Sequence, residues 1–279
     1  MYALFDADIL VFRCGFAAER RKWHLKIPEQ EFYKEFEYKK EALDELDMRL
    51  GKKSTRVEGE DYELWSEVEL EPLKHALQNV NTQVKYILEA IDCTDFDVQM
   101  FLSGPNNFRY EVAKTRPYKG NRDASHRPTY EQEIRDYIKS TWDTYVSDGE
   151  EADDLMGIAQ TKYCPHDSII VSIDKDLDQI PGLKYNFMHK IGYDVSEEQA
   201  YYNFHMQLMT GDTTDNIPGL PGIGPGKAAK ALHGMEGDNL EQLREVARMY
   251  QIHSGKEDWF KYMIEQGRLL WIRRQPCRS

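Results

Sequence analysis

Apolar residues recur at two periods along this chain, and the alternation between them gives the first reading of its fold. From Leu73 to Ile91, the residues Leu73, Ala76, Leu77, Val80, Val84, Ile87, Leu88 and Ile91 fall on one helical face, with Pro72 just ahead of the first turn. Ser168 to Ile173 is a continuous apolar run, as in strands buried on both faces of a parallel sheet. Tyr2 to Phe5, Asp97 to Ser103 and Leu183 to Met188 read as further strands. Helices are expected over Thr129 to Trp142, from near Glu151, from the capping box Ser196–Gln199 to Leu208, from Asp238 to Met249, and from Glu257 to Ile272. Between about residues 22 and 71 the pattern blurs. Gln30 to Leu50 reads as a charged helix and Val57 to Leu70 as a short hairpin, together an insertion without a motif. Strands alternating with helices at crossover length predict an α/β fold, a mostly parallel sheet covered on both faces.

Composition narrows the setting. The 279 residues suit one large domain, or a domain with an appendage. Four scattered cysteines, with no C-x-x-C pair, point to a reducing compartment and away from a zinc ribbon or disulfide framework. No apolar run approaches a membrane span, and Asp6 and Asp8 interrupt the apolar start, so the expected location is the cytoplasm, with no membrane partner. A net charge of −13 speaks at first against nucleic acid. Its distribution says otherwise, because Phe108 to Arg127 carries six Lys/Arg against two acids.

Acids collect where an open α/β sheet binds ligands, at the C-terminal ends of strands. Asp6 ends the first strand, and Asp174 and Asp176 follow the apolar run at Ser168. Glu151, Asp153 and Asp154 open a helix, more acids than capping needs. Asp212 and Asp215 precede the glycine-studded turn from Gly219 to Lys227, whose Gly222, Gly224 and Gly226 could offer backbone N–H groups to phosphates. That turn is not a Walker A loop, since Pro221 and Ala228 occupy its required Gly and Ser/Thr positions. So many carboxylates on one edge require cations. Two divalent ions roughly 3.5–4 Å apart would satisfy them and support displacement at phosphorus, and an all-oxygen site suits Mg²⁺ or Mn²⁺. Arg109, Arg116, Tyr118, Lys119 and Arg122 interleave cations with an aromatic ring, a composition that grips phosphates and stacks on bases.

Five motifs then recur in order: Phe5-Asp6, Tyr118-Lys-Gly-Asn-Arg122, Glu151-Ala-Asp-Asp154, Ser172-Ile-Asp-Lys-Asp176, and Gly211-Asp-Thr-Thr-Asp215-Asn-Ile-Pro-Gly-x-x-Gly-Ile-Gly. Together they resemble the flap endonuclease / 5′→3′ exonuclease family, phage exonucleases and the nuclease domain of bacterial DNA polymerase I in particular. The resemblance implies a PIN-like three-layer α/β/α core over residues 1–195, with the insertion at about 22–71 and a basic arch at about 105–128. It also implies a helical region over 196–279 containing a helix-hairpin-helix. Asp6, Glu151, Asp153 and Asp174 would hold one metal and Asp176, Asp212 and Asp215 the other, with Asp153 or Asp174 shared. Lys119 and Arg122 would act on the scissile phosphate, Tyr118 would stack on the terminal base, and Gly219 to Lys227 would grip duplex phosphates beside a K⁺ ion. The implied partner is DNA with a free 5′ end, as flap, duplex or RNA–DNA hybrid, bound by a monomer in the cytoplasm (a host's, for a phage protein).

One departure stands out: the family ends its second strand with Asp, where this chain has Ser103. Asp8 or an extra water is expected to compensate. Two alternatives remain at this stage. Phe5-Asp6-Ala-Asp8 also looks like the strand-end motif of a haloacid-dehalogenase-type phosphatase, although Ile9-Leu10-Val11 lacks the hydroxyl residue that family places there. The altered Ser103 position also suits a DNA-junction binder that does not cut.

Overall fold

In chain order the elements are β1 (Tyr2–Asp6), α1 (Ala7–Ala17), β2 (Glu19–Ile27), β3 (Phe32–Phe36), α2 (Lys39–Leu50), β4 (Glu63–Leu70), α3 (Leu73–Ile91), β5 (Val98–Leu102), α4 (Arg109–Val112), α5 (Glu131–Thr141), β6 (Asp143–Val146), α6 (Ala152–Ile158), β7 (Ser168–Val171), β8 (Gly182–Asn186), β9 (Ile191–Val195), α7 (Glu197–Thr210), α8 (Pro225–Leu232), α9 (Asn239–His253) and α10 (Trp259–Leu270). The computed structural model describes residues 1–51, 56–94, 97–121 and 127–276. Among them, six strands form one sheet in the order β6-β5-β1-β7-β8-β9, parallel except for β9, which runs antiparallel to β8.

Strand alternation builds three layers from this sheet. Ala3 and Phe5, Met100 and Leu102, and Ile169 and Val171 join one core cluster with the apolar faces of α1, α3 and α5. Their neighbours Leu4, Phe101 and Ile170 point the other way and pack with Ala152 and Met156 of α6. A period-two apolar run can be buried on both faces only in such a sandwich. β1 lies between β5 and β7, so the C-terminal ends of all three open side by side.

The stretch from 22 to 71 departs from its sequence reading. Phe32–Phe36 is a strand rather than the start of a helix, and Glu63–Leu70 is a single strand rather than a hairpin. Both pair antiparallel with β2, which begins at Glu19 and was hidden by its charged residues Arg20, Arg21, Lys22 and Lys26. One face of this sheet and α2 share a separate small core of Leu25, Ile27, Phe36, Ala42, Leu46 and Tyr62. Glu71 N donates to Ala18 O at 2.9 Å, so this unit leaves and rejoins the chain at a single point. The edge strands β6 and β9 also escaped the sequence reading, because short exposed edge strands carry little apolar pattern.

From α7 onward the chain is helical and has its own core, including Leu208, Leu220, Val246, Tyr250, Met263 and Leu269. Ser196 and Asp238 cap α7 and α9 by accepting from Gln199 N and Glu241 N, as their sequence patterns predict.

Candidate active site

A cavity of about 1040 Å³ opens where β1, β5 and β7 end. Asp6, Asp8, Glu151, Asp153, Asp174, Asp176, Asp212 and Asp215 line it, together with Lys119. The local backbone explains how each acid is presented. Asp6 caps α1 by accepting from Ile9 N, and Ser172 Oγ donates to its other oxygen at 2.8 Å. Glu151 is the N-cap of α6, so Asp153 stands in the first turn. Asp174 caps a short 3-10 turn, Lys175–Gln179, accepting from Asp176 N at 2.8 Å. Asp212 accepts from Thr214 N at 2.7 Å and is held by a reciprocal backbone bridge with Ile217. That bridge forces two glycines together. Gly211 and Gly219 both have positive φ, and a Cβ on Gly219 would lie 2.4 Å from Gly211 N.

The crowding has electrostatic consequences. Burial, with repulsion from Asp8, pushes Asp6 up to about 7. Asp176 also rises to about 7, through burial and then the Asp174 charge. Asp153 is raised by burial and by Asp6, Glu151 and Asp174. Asp174 faces the open cavity yet is ringed by protein, which raises it, with Asp212 and Asp215 adding repulsion. Carboxylates that resist ionisation together, with oxygen donors only, fit a hard divalent cation. They are not drawn into a closed shell: among the described residues no three Asp, Glu, His or Cys groups sit in ligating geometry. Glu151 and Asp215 are instead spanned by the basic segment. The Tyr118 hydroxyl contacts Glu151 at 3.0 Å and Asp215 at 2.6 Å, and Lys119 Nζ bonds Glu151. Lys119 N also donates to Asp215 O at 3.0 Å.

Three expected roles need correction. Asp154 does not face the cavity. It is fully buried, paired with Arg109 through both oxygens (2.6 and 2.9 Å), and accepts from Arg273 N as well. Those hydrogen bonds, with the Arg109 charge, hold it below the usual carboxylate range against the pull of burial. Arg109 is only 2% exposed, its remaining donors bonding Leu269 O and Trp271 O, so it cannot touch DNA. It fastens the helical region to α6. Tyr118 is 4% exposed, so its ring cannot stack on a base. A basic, aromatic-rich string does not reveal which of its members turn inward. Arg116, Gly222, Gly224, Gly226 and Lys227 are exposed, with Lys227 Nζ folded back onto Gly222 O at 2.8 Å. Arg122 lies outside the described residues.

Other residues enter the site unannounced. Arg135 of α5 donates to Asp8 Oδ1 at 2.7 Å and also bonds Ser103 O, while Ser103 N donates to the second Asp8 oxygen at 2.8 Å. Asp8 thus sits at the end of β5, beside the position where an acid was expected, with both oxygens engaged. A phosphatase of the strand-end type would need that acid free. Asn107 donates to Glu151 at 2.8 Å. Only Asp8 had a sequence signal, its place two residues after Asp6. Arg135 looks like any polar residue on an amphipathic helix.

The three-layer core with its acid-lined strand ends has a counterpart in fold among solved nuclease structures. The zinc-bound T5 5′-exonuclease superposes with a TM-score of 0.50 at 19% identity, covering 70% of this chain and 78% of that one, which shows a shared fold. In sequence the chain is similar to particular proteins. It is 33% identical over 149 residues to flap endonuclease Xni of Vibrio parahaemolyticus, covering 48% of this chain and 54% of that protein. It is 30% identical over 127 residues to a 5′-3′ exonuclease of Mycoplasmopsis pulmonis (39% and 43% covered). It is also 40% identical over 112 residues to DNA polymerase I of Rhizobium leguminosarum, covering 36% of this chain and 11% of that one. The chain spans about half the length of the flap endonuclease it matches, and no protein-family model matches it. These similarities bear out the resemblance drawn from the five motifs.

Proposed function

We propose that this protein is a metal-dependent nuclease that hydrolyses DNA phosphodiesters near a 5′ end, as a flap endonuclease and 5′→3′ exonuclease. The observation that carries this reading is the shared cavity, in which Asp6, Glu151, Asp153, Asp174, Asp176, Asp212 and Asp215 arrive from four separate stretches beside Lys119. The similarity to proteins named flap endonuclease and 5′-3′ exonuclease supports it. Asp6, Glu151, Asp153 and Asp174 would hold one Mg²⁺ or Mn²⁺ ion, and Asp176, Asp212 and Asp215 a second. Bound there, the ions would supply an activated water and stabilise charge at phosphorus.

The chain's own groups do the rest. Ser172 orients Asp6, and the caps at Glu151 and Asp174 fix the carboxylates before substrate arrives. Lys119 brings a cation to the cavity wall, where it would position the scissile phosphate. The exposed start of α8, with Gly222, Gly224, Gly226 and Lys227, would act as the helix-hairpin-helix grip on duplex phosphates, with a K⁺ ion among its carbonyls. Arg116 adds an exposed cation. In this reading the protein works as a monomer in the cytoplasm on flaps, duplex ends and RNA–DNA hybrids. Among the described residues no helix is long and apolar enough to cross a membrane.

Digestion of 5′-labelled flapped, nicked and blunt duplexes tests the proposal. Short 5′-phosphorylated products should appear with Mg²⁺ and vanish with EDTA. Tight binding of the flapped duplex without any cutting in Mg²⁺ or Mn²⁺ would make the protein a junction binder instead.

A further inference from the structure

The helical region holds a second, chemically opposite cavity of about 450 Å³ between α7, α9 and α10. Its walls are apolar: Phe108, Leu208, Leu243, Met263, Ile264 and Trp271. Leu243 and Ile264 remain 38% and 45% exposed at its rim. The volume lies within the ordinary range for pockets that bury a ligand.

Gly267 supplies an independent observation. It lies inside α10 without a positive φ, and a Cβ there would meet nothing closer than 3.8 Å, from Leu208 and Phe204. Neither backbone conformation nor packing demands glycine. A glycine inside a helix costs about 1 kcal/mol relative to alanine, and here the position keeps the cavity wall bare. Trp271 forms a firm side of the pocket, edge-on to Phe204 and under the Arg274 guanidinium.

Charge and shape name the occupant. Arg268 is exposed on the lining and makes no hydrogen bond or ion pair among the described residues. Arg273, the other cation there, is already paired with Glu150 at 2.9 Å. Past Phe108, Ile264 and Arg268 the pocket adjoins a groove. Its walls balance Lys114, Lys256 and Lys261 against Glu111, Glu257, Asp258 and Glu265, so Arg268 at the lip is the cation left for a ligand. An apolar hole with a free guanidinium at its lip and a groove leading away suits an extended chain better than a compact molecule. We propose that this pocket docks a peptide segment of a partner protein, with a bulky apolar side chain in the cavity and an adjoining carboxylate on Arg268. This site is separate from the carboxylate cavity, and the inference does not depend on the nuclease reading.

Fluorescence anisotropy of a fluorescein-labelled Gly-Ser-Asp-Asp-Leu-Phe peptide, added to the full-length protein, tests it. Saturable binding should appear below about 1 mM and be lost when Leu-Phe is replaced by Ser-Ser. Gly267→Leu, which fills the hole, should weaken binding at least about tenfold, and Arg268→Glu by a similar factor. Gly267→Ala should weaken binding less while raising the melting temperature, which separates a filled pocket from a misfolded chain. Absence of binding by the wild type at 1 mM, or unchanged affinity in Gly267→Leu and Gly267→Ala, overturns the proposal. Displacement of the peptide by a single-stranded oligonucleotide whose own binding falls in the same variants assigns the groove to DNA and overturns it equally.

Discussion

Single side chains divide this protein's acids into two populations. Asp153 and Asp174 face a cavity among other carboxylates, whereas Asp154, next to Asp153 in sequence, is sealed against Arg109. The two should respond oppositely to the loss of one charge. Asp153→Asn or Asp174→Asn should abolish cleavage while leaving flap binding and melting temperature near wild type; near-normal turnover would remove either from the metal set. Asp154→Asn should instead unfold the protein more easily by about 3 kcal/mol or more, since it leaves Arg109 buried without its counter-ion, as a denaturant titration would show. The two acids were indistinguishable in sequence because both sit in the first turn of α6. Only the helix phase, and a buried arginine 45 positions earlier, separates them. Tyr118 illustrates the same difficulty. Its motif is legible, but nothing in the motif says that the ring packs inward with its hydroxyl on Glu151 and Asp215.

Among the elements, β8 carries an unpaired liability. Lys184 is 3% exposed and its ammonium has no hydrogen-bond partner among the described residues, so burial pushes it down to about 7 from an ordinary value of 10.5. Between those values the unfolded chain holds a proton that the folded chain does not, so this residue makes stability rise with pH across that window. Below pH 7 its penalty is fully present. Lys184→Met should therefore raise the melting temperature most near pH 6 and hardly at all by pH 10; a constant difference would show that charge is not the cause. Elements with strong periodicity were legible: α3 spans Leu73–Ile91 and buries Ala76, Val80, Val84, Ile87 and Leu88 of its apolar stripe, and the capped starts of α7 and α9 fall where their Ser and Asp stand. Those without it were not. β2 alternates two charged surfaces with one small core, a pattern that reads as solvated chain until β3 and β4 pair with it.

For the whole molecule, the sheet order brings distant sequence to one edge, and this made the carboxylate cavity predictable before any coordinate was known. Parallel strands with crossover helices must end together, so acids at strand ends must meet. The small sheet of β2, β3 and β4 is another matter, because it has its own core and, among the described residues, touches the main body at few points, such as Glu19 accepting from Thr129 N and Oγ1. Replacing Glu19–Leu70 by a short Gly/Ser turn between Ala18 and Glu71 should leave a folded protein with an intact carboxylate cavity. Retained nuclease activity and a cooperative melt would show this, and aggregation would show that α1 and α3 need the unit between them.

That junction also bears on how the chain folds. β1 and β5 pair Ala3 with Val98, so the first central contact must close a loop of about 95 residues. Roughly half of that loop is the three-stranded unit, whose strands pair locally around their own core. Its two ends meet through the Glu19–Leu70 end of the β2–β4 ladder, the Arg20–Glu71 ion pair and the Glu71 N to Ala18 O bond. Each halving of loop length lowers the entropic cost of closure by only about 0.6 kcal/mol. Yet a unit that condenses early also brings Ala18 to Glu71, and so α1 to α3, the two helices that flank β1 on one face. The insertion would then serve as a folding clamp, and its removal would show first in the refolding rate rather than in the equilibrium stability.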